Sequence, residues 1–279
     1  MAASQTVWRL RSGEVGLAGG VLMGIVNVTP DSFSDGGKFL EPGAAIQHGL
    51  SLMADGADIV DVGGESTRPG AEPVASDEEM ARVLPVVEAL ASRGVRVSID
   101  TSKTEVAEQA LARGAELVND VTACRSEGMT GLIADAGCGV ILMHMKGEPR
   151  HMHLDPSYEE VVDEVEDFLE ERIEAVVAAG VDRSRVVIDP GIGFGKTKDH
   201  NLELLRGMGR LSRHAPVVLG TSRKRFLGTL VEARTTADLD MGTSVTTAIG
   251  FLNGARVFRV HDVVGSRRAL ALATAMVTQ

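Results

Sequence analysis

The stretch GVLMGIVNV at residues 20–28 is apolar except for Asn27, with no alternation between apolar and polar positions. Runs of this kind are typical of parallel strands that are buried on both faces of a sheet. Seven further short apolar runs follow along the chain, at residues 57–62, 95–99, 116–121, 139–143, 185–188, 216–219 and 256–260. The sequence therefore predicts eight buried parallel strands.

Amphipathic stretches with helical periodicity lie between these runs, at residues 76–92, 103–113, 158–179 and 201–211. Ser76 and Glu79 have the Ser-x-x-Glu spacing of a capping box, which predicts a helix start. Gly94, Gly114 and Gly180 stand where helices are expected to end, since glycine readily adopts the left-handed conformation of a C-terminal cap. Strands and helices are therefore expected to alternate.

The repeat of eight strand–helix units predicts the α/β class and a single (βα)8 TIM barrel that spans residues 1–279 as one domain. A barrel of this type needs about 250 residues as one unit, which the 279-residue chain supplies. No linker or low-complexity segment separates the units. An open doubly wound sheet is the alternative, but it usually has fewer strands.

Composition excludes several classes of partner. The net charge of −11 argues against nonspecific binding to a phosphate backbone, and the aromatic share of 3% argues against a stacking platform for single strands. We therefore expect no nucleic acid partner, although local basic groups can still bind a small anion. No run approaches the roughly 18 apolar residues of a membrane span, so no membrane partner is expected.

The two cysteines, Cys124 and Cys138, are expected to be free thiols in a reducing compartment. The first residues, MAASQTVWRLRSGEVG, lack the apolar core of a signal peptide. The sequence therefore predicts a soluble cytoplasmic protein.

Polar residues stand at the end of each predicted strand, where TIM barrels carry their active sites. They include Asn27, Asp61, Asp100, Asn119 with Asp120, His144 with Lys146, Asp189, residues 220–224 (GTSRK) and residues 259–262 (RVHD). Any one of these could be only a turn or a helix cap, and Asp100 and Asp262 could each cap the helix that follows. Caps do not require so many different polar types on one rim, so the set as a whole indicates a binding site.

Two kinds of chemistry are combined on this rim. Asp100, Asn119 and Asp189 can exchange hydrogen bonds with a flat, amide-rich heterocycle. The basic residues Arg68, Lys224, Arg259 and His261 can bind an anion. The sequence therefore indicates a substrate with a neutral base and a phosphate.

Three other features are interpreted as structural. The glycine-rich stretch 191–196 encloses only three residues between its outer glycines, whereas a P-loop needs four, so it is expected to close on a flat ligand. His144, His151 and His153 lack a carboxylate or cysteine that completes a zinc spacing. The acidic helix at residues 163–174 is expected to present a solvated face.

Seven motifs together resemble the dihydropteroate synthases, a family of pterin-binding barrels, from the first strand to the eighth. They are MGIVNVTPDSFSDGG (23–37), DVGGESTRPGA (61–71), SIDTSK (98–103), VNDV (118–121), DPGIGFGK (189–196), TSRK (221–224) and RVHDV (259–263). The resemblance implies a (βα)8 barrel that condenses 7,8-dihydropterin-6-ylmethyl diphosphate with p-aminobenzoate in folate biosynthesis. Dihydropteroate and pyrophosphate are the implied products, and a homodimer is the implied assembly.

The resemblance also implies roles for single residues. Asn27 matches the magnesium-binding Asn, which makes Mg2+ the expected cofactor. The other matched positions are Thr67 and Arg68 for pyrophosphate and benzoate, Asp100, Asn119, Asp189 and Lys224 for the pterin, Arg259, Val260 and His261 for pyrophosphate, and Phe33, Pro69, Phe194 and Ser222 near the benzoate pocket. Asp100, Lys224, Arg259 and His261 are the expected catalytic residues.

The chain departs from the commonest family pattern at Lys146, Glu148 and Arg225, which are expected beside the benzoate-side rim. Two other functions use a similar barrel. A methyltetrahydrofolate:corrinoid methyltransferase needs no pyrophosphate site, and the Arg259-x-His261 ending argues against it. A catalytically silent pterin-binding paralogue is expected to have lost loop or anion-binding residues, and these are present.

Overall fold

A closed barrel of parallel strands forms the body of the computed structural model, which describes residues 5–29, 42–67, 70–147, 151–152, 154 and 156–277. Within these ranges an N-terminal hairpin of β1 (Val7–Arg9) and β2 (Glu14–Gly16) precedes eight barrel strands. The barrel strands are β3 (Val21–Asn27), β4 (Ile59–Gly63), β5 (Val97–Asp100), β6 (Leu117–Asp120), β7 (Gly139–Met143), β8 (Val186–Asp189), β9 (Val217–Leu219) and β10 (Ala255–Val260). Each pairs in parallel with the next, and β10 closes onto β3, which confirms the predicted (βα)8 barrel.

Helices connect the strands around the outside of the barrel. They are α1 (Pro42–Ala54), α2 (Ser76–Ala91), α3 (Thr104–Ala112), α4 (Met129–Ala136), α5 (Val161–Ala178), α6 (Lys198–Leu211), α7 (Arg225–Leu230), α8 (Thr236–Leu252) and α9 (Val263–Val277). Valine, leucine and isoleucine side chains on their inner faces pack against the outward-facing strand residues and form the larger of the hydrophobic clusters. No helix in the described part of the chain is long and apolar enough to cross a bilayer.

The N-terminal hairpin, which the sequence analysis did not predict, closes one end of the barrel. The Trp8 side chain is fully buried there, and its indole N–H donates a hydrogen bond to the Arg185 carbonyl at 2.9 Å. It packs with Leu10, Val15 and Leu17 against apolar side chains inside the barrel. Because this end is the amino-terminal end of the strands, only the carboxyl-terminal end is left for a ligand.

The pleat of the strands explains which residues line that end. Met23, Ile59, Leu117, Ile141, Val187, Val218 and Val257 form an apolar layer inside the barrel. Side chains on one face of a strand repeat every second residue, so the next inward layer begins two positions later. That layer contains Ile25, Asp61, Asn119, Met143, Asp189 and Arg259. Between these two layers the barrel interior therefore changes from apolar to mainly polar.

Helix capping agrees with the sequence in some places and not in others. The predicted capping box is wrong: Ala75 is the N-cap of α2, the Ser76 hydroxyl bonds to Glu105, and Glu79 contacts a lysine. Spacing alone could not show that better partners lie on other elements. Asp262 does accept a hydrogen bond from Gly265 N at the start of α9.

The glycines that were expected to end helices behave as predicted. Gly94, Gly114 and Gly180 all have positive φ, at 77°, 101° and 103°. The two cysteines, Cys124 and Cys138, are both buried free thiols, as the sequence indicated.

Candidate active site

An arginine bridging two aspartates forms the centre of the polar layer. Arg259 on β10 donates from Nε to Asp61 Oδ2 on β4 and from Nη2 to Asp100 Oδ2 on β5, both at 2.6 Å. Asp61 is fully buried, and Asp100 and Arg259 are mostly buried. Charge-assisted hydrogen bonds of this length are strong, so the three side chains hold one another in a fixed geometry.

The pKa values in this cluster follow from burial and charge. Burial alone lowers the pKa of Arg259, but the charges of Asp61 and Asp100 outweigh burial and raise it. Burial raises the pKa of Asp100 to about 7, although the guanidinium of Arg259 opposes the shift. Arg259 therefore stays protonated at any physiological pH, whereas burial holds the pKa of Asp100 above the ordinary value of a carboxyl group.

Asp61 was named only as the end of a predicted strand, and the structure adds it to the site. Its carboxylate also accepts a hydrogen bond from Asn119 Nδ2 at 3.3 Å, which links β4 to β6. A signal was present in the sequence, because an aspartate inside an otherwise apolar strand must have a buried partner. The sequence could not show that this partner is Arg259, 198 positions away.

The neighbouring strand end illustrates the alternative in which an aspartate only stabilises a turn. Asp120 accepts hydrogen bonds from the backbone N–H and hydroxyl of Thr122 and from Cys124 N, at 2.7 to 3.0 Å. Both oxygens of its buried carboxylate are thus used by the loop after β6. Asn119 faces the barrel interior instead, so only the asparagine is available to a ligand.

Asp189 at the end of β8 divides its carboxylate between a turn and the barrel interior. Oδ1 accepts a hydrogen bond from Gly191 N at 2.6 Å, as a turn residue would. No hydrogen bond joins Oδ2 to a described residue. Burial raises the pKa of Asp189, and the Gly191 N–H together with the charges of Lys224 and Arg259 opposes that shift.

An apolar wall faces these polar groups at the same end of the barrel. Val121, Met143, Met145 and Met152 form a small cluster, against which Phe194 packs. The ammonium of Lys224 lies 4.0 Å from the centroid of the Phe194 ring, a distance typical of a cation–π contact. A lysine, an aromatic ring and methionine side chains beside buried carboxylates suit a flat polar heterocycle.

The glycine-rich loop after β8 packs closely against the segment that follows β7. A Cβ at Gly191 would lie 1.8 Å from the His144 carbonyl oxygen, and one at Gly195 would lie 2.3 Å from that of Lys146. The buried Lys196 ammonium bonds to His144 Nδ1 at 2.9 Å and to the Phe194 carbonyl at 3.0 Å. The Lys196 ammonium therefore contacts the loop itself and the residue that follows β7.

His144 is engaged by the neighbouring Lys196 in this structure. Burial and the charge of Lys196 lower its pKa to about 2, so the imidazole stays neutral and accepts the lysine's hydrogen bond. Burial also lowers the pKa of Lys196, to about 7, against the opposing charge of Asp189. His153 lies outside the described residues, and those that are described contain no group of three or more His, Cys, Asp or Glu able to hold a metal.

Two residues expected at different subsites contact each other. The Ser222 hydroxyl lies 2.8 Å from His261 Nδ1 and accepts a hydrogen bond from His261 N at 3.1 Å. Ser222 follows β9 and His261 follows β10, so closure of neighbouring strands brings them together. Val260 is buried and pairs in register with Gly24.

The loop after β4 is held by charged side chains up to the last residue described before the gap. Lys103 bridges Glu65 in this loop and the fully buried Glu79 on α2. Arg82 Nη1 donates to the Gly64 carbonyl at 2.8 Å. Thr67 is half-buried at the end of this segment. Gly64 and Glu65 are therefore attached to α2 and to the loop after β5.

Several predicted positions lie at the margin of the site or beyond what is described. Asn27 is the last residue of β3 and pairs with Gly63. Lys146 lies 4.1 Å from the Tyr158 ring centroid and bonds to Glu164 at 3.1 Å, so it contacts the start of α5. Arg225 is exposed at the start of α7. Phe33, Arg68, Pro69 and Glu148 fall outside the described residues.

Comparison with known proteins identifies this arrangement. The family model described as "Pterin binding enzyme" matches residues 23–261. A dihydropteroate synthase of Neisseria meningitidis serogroup C is 42% identical over 269 residues, which cover 95% of each chain. A structure of Xanthomonas albilineans dihydropteroate synthase with 4-aminobenzoic acid has a TM-score of 0.91 and 43% identity and covers 98% of both chains.

A second structure of the Xanthomonas albilineans enzyme, in complex with 7,8-dihydropteroate, has a TM-score of 0.85 and 42% identity and covers 94% of this chain and 95% of that one. The agreement therefore extends over sequence and structure and over nearly the whole length. The chain belongs to the family of pterin-binding enzymes and, within it, to the dihydropteroate synthases, which are transferases.

Proposed function

We propose that this chain condenses 7,8-dihydropterin-6-ylmethyl diphosphate with p-aminobenzoate to give 7,8-dihydropteroate and pyrophosphate. The observation that carries the proposal is the polar layer of Asp61, Asp100, Asn119, Asp189 and Arg259 at the open end of the barrel. Relatives whose structures contain 4-aminobenzoic acid or 7,8-dihydropteroate support the choice of substrates.

The pterin is recognised by the donors on one edge of its ring. An amino group and an adjacent ring N–H point in the same direction, and a carboxylate can accept from both at once. Asp189 is the residue proposed for this contact, because Oδ2 is not used by a described residue. Asn119 and Asp100 serve the remaining ring nitrogens, and Lys224 donates to the ring carbonyl. A heterocycle with a different donor pattern leaves buried groups unpaired, at about 1–3 kcal/mol each.

The reaction breaks the bond between the pterin methylene carbon and the diphosphate oxygen, and it forms a bond from that carbon to the arylamine nitrogen. The arylamine then loses one proton. An electron-rich ring stabilises positive charge on the methylene carbon, so we propose a loose, carbocation-like transition state. Negative charge develops on the leaving pyrophosphate, where His261, Arg68 and Arg259 would stabilise it.

Mg2+ is part of the proposal as the cofactor. Asn27 supplies one hard oxygen ligand at the end of β3, and no acidic cluster among the described residues supplies more. This donor set fits Mg2+, which is commonly bound through few protein ligands together with substrate phosphates and water. When bound, the ion would neutralise charge on the leaving pyrophosphate.

Turnover tests the proposed function directly. The purified chain is expected to form dihydropteroate and pyrophosphate from the two substrates with Mg2+, and EDTA is expected to stop the reaction. Product is followed by chromatography, with p-aminobenzoate omitted as the control. No product from fresh reduced pterin at high enzyme concentration would favour the silent pterin-binding paralogue, and methyl transfer to a corrinoid would favour the methyltransferase.

We further propose a cytoplasmic homodimer that forms through the outer face of α8 and α9. Met241, Val245, Ile249 and Leu252 recur every three to four residues along α8, and each is at least 45% exposed. Leu272 and Met276 on α9, which packs against α8, are exposed as well. An apolar face of this kind marks an interaction surface, and a second copy of the same chain can pair with it symmetrically.

Replacing Val245 or Ile249 with Glu is expected to shift the protein from dimer to monomer, because each subunit would then bury a carboxylate without a partner in the interface. Light scattering coupled to size-exclusion chromatography measures the mass. Leu154→Glu is the control, since Leu154 is 70% exposed on the loop after β7. A monomeric parent chain, or a dimer that survives both substitutions, would refute this interface.

A further inference from the structure

The side chain of Ser222 makes two contacts with His261, one with its backbone and one with its ring. Both residues lie at the carboxyl-terminal rim, where neighbouring strands β9 and β10 end. The serine hydroxyl takes part in two contacts with the same histidine. It accepts a hydrogen bond from the backbone N–H at 3.1 Å and lies 2.8 Å from the ring nitrogen Nδ1.

The donors and acceptors available to Ser222 determine which atom donates in its contact with His261 Nδ1. A serine hydroxyl has one proton to donate and two lone pairs. The backbone N–H of His261 can only donate, so it occupies one lone pair of Ser222 Oγ. Ser222 is buried, and Nδ1 of His261 is the acceptor that the described residues offer to its proton. If Nδ1 carried a proton instead, this buried hydroxyl would lack an acceptor among the described residues, which is costly.

We propose that Ser222 is a positioning residue that fixes the tautomer of His261, with Nδ1 unprotonated and the proton on Nε2. The inference rests on the proposed function, in which His261 binds the diphosphate. With this tautomer, Nε2 of His261 donates an N–H to it. A neutral imidazole has one donor and one acceptor nitrogen, and the partner of one nitrogen determines the role of the other. Ser222 thereby presents a donor, not a lone pair, to the negatively charged oxygens.

The backbone contact strengthens this arrangement. The hydrogen bond from His261 N to Ser222 Oγ places the hydroxyl beside the same residue whose ring it holds, so the ring cannot rotate away without losing the pair. The neighbouring hydroxyl of Thr221 has a different partner, Thr246 Oγ1 at 2.7 Å. Two adjacent buried hydroxyls thus differ in whether they contact the histidine, which provides a matched control.

Nitrogen-15 NMR of the free protein, labelled at its histidines and measured where the rings are neutral, reports the tautomer without any substrate. The signal of His261 is identified by its loss in His261→Gln. In the parent chain it is expected to show the proton on Nε2, and in Ser222→Ala a mixture of the two tautomers. Ser222→Thr keeps the hydroxyl and is expected to retain the single tautomer, as is Thr221→Val.

Calorimetry with inorganic pyrophosphate and Mg2+ gives the second measurement. Affinity is expected to fall about three- to tenfold in Ser222→Ala, in keeping with the loss of one oriented hydrogen bond. It is expected to stay within twofold of the parent in Ser222→Thr and Thr221→Val. Melting temperatures identify any variant that has failed to fold. If Ser222→Ala fails to fold, the tautomer and the pyrophosphate affinity of Ser222→Thr are compared with those of the parent.

The possible outcomes distinguish failure of the positioning role of Ser222 from failure of the proposed anion site. A parent chain with the proton on Nδ1 of His261, or a Ser222→Ala variant with unchanged tautomer and pyrophosphate affinity, would overturn the positioning role. If the parent chain does not bind pyrophosphate, the proposed anion site fails, while the tautomer measurement still decides the role of Ser222. A rise in the KM for p-aminobenzoate alone, with the tautomer unchanged, would assign Ser222 to the benzoate side only.

Discussion

Replacing Asp189 with Asn is expected to abolish binding of a non-reactive pterin while leaving the fold intact. The amide retains an oxygen for the Gly191 N–H, which now bonds to Oδ1 at 2.6 Å, so the turn after β8 survives. The other arm becomes an NH2 group that faces the two pterin donors. A buried pair of donors without an acceptor costs about 3 kcal/mol or more, so affinity should fall more than about 100-fold by calorimetry.

Two control variants distinguish the role of Asp189 in pterin binding from its role in the turn after β8. Asp189→Ala removes both arms and should lose stability as well as pterin affinity. Asp120→Asn changes a buried carboxylate at the neighbouring rim whose oxygens are held by Thr122 and Cys124, and it should leave pterin affinity unchanged. An Asp189→Asn variant that binds pterin within a few-fold of the parent would show that this aspartate serves only the turn.

Arg259→Met is expected to destabilise the protein by about 3–5 kcal/mol at pH 8, because it leaves the buried carboxylates of Asp61 and Asp100 without their shared partner. Methionine has a similar volume, so a cavity contributes little. Urea denaturation gives the free energy of unfolding. This expectation differs from a simple anion-binding role, in which loss of Arg259 would weaken pyrophosphate and leave stability unaffected.

The stability lost in Arg259→Met should decrease as the pH falls. Without the guanidinium, nothing opposes the burial that already raises the pKa of Asp100 in the parent chain, so the pKa is higher still in the folded variant, and the variant gains more stability from protonation than the parent does. When the folded state holds more protons, stability increases as pH falls. The difference from the parent chain should therefore narrow between pH 8 and pH 5.

Arg223→Met is the matched control for this measurement. Arg223 also pairs with an aspartate through two contacts, to Asp240 at 2.7 and 2.9 Å, but it lies at the surface. Its loss should cost at most about 1 kcal/mol, as is usual for exposed ion pairs. A similarly small cost for Arg259→Met, or a cost that does not change with pH, would contradict the central role of the buried cluster.

Local patterns in the sequence were sufficient for the barrel and for the rim. The eight predicted strands lie within two residues of the observed ones because a strand buried on both faces is a continuous apolar run, which the sequence displays directly. The position of the site followed from the same runs, since the polar residues at their ends must meet once the strands are parallel. The seven motifs then indicated the family.

Contacts between elements far apart in the sequence could not be predicted from local patterns. The hairpin around Trp8 was not predicted, because two three-residue strands give too short a pattern and their stability comes from the barrel they close. The capping box at Ser76 failed for a related reason, as its side chains find partners on α3 and after β5.

The pairing inside the site was decided by closure of the barrel alone. Arg259 reaches Asp61 across 198 positions and Asp100 across 159 because β10 pairs with β3 and inward side chains of non-neighbouring strands then meet across the barrel interior. Ser222 and His261 meet for the same reason, at the ends of neighbouring strands. Sequence determines the residue types and the face of each strand through its period of two, whereas the partner of each buried charge depends on the radius and register of the closed sheet.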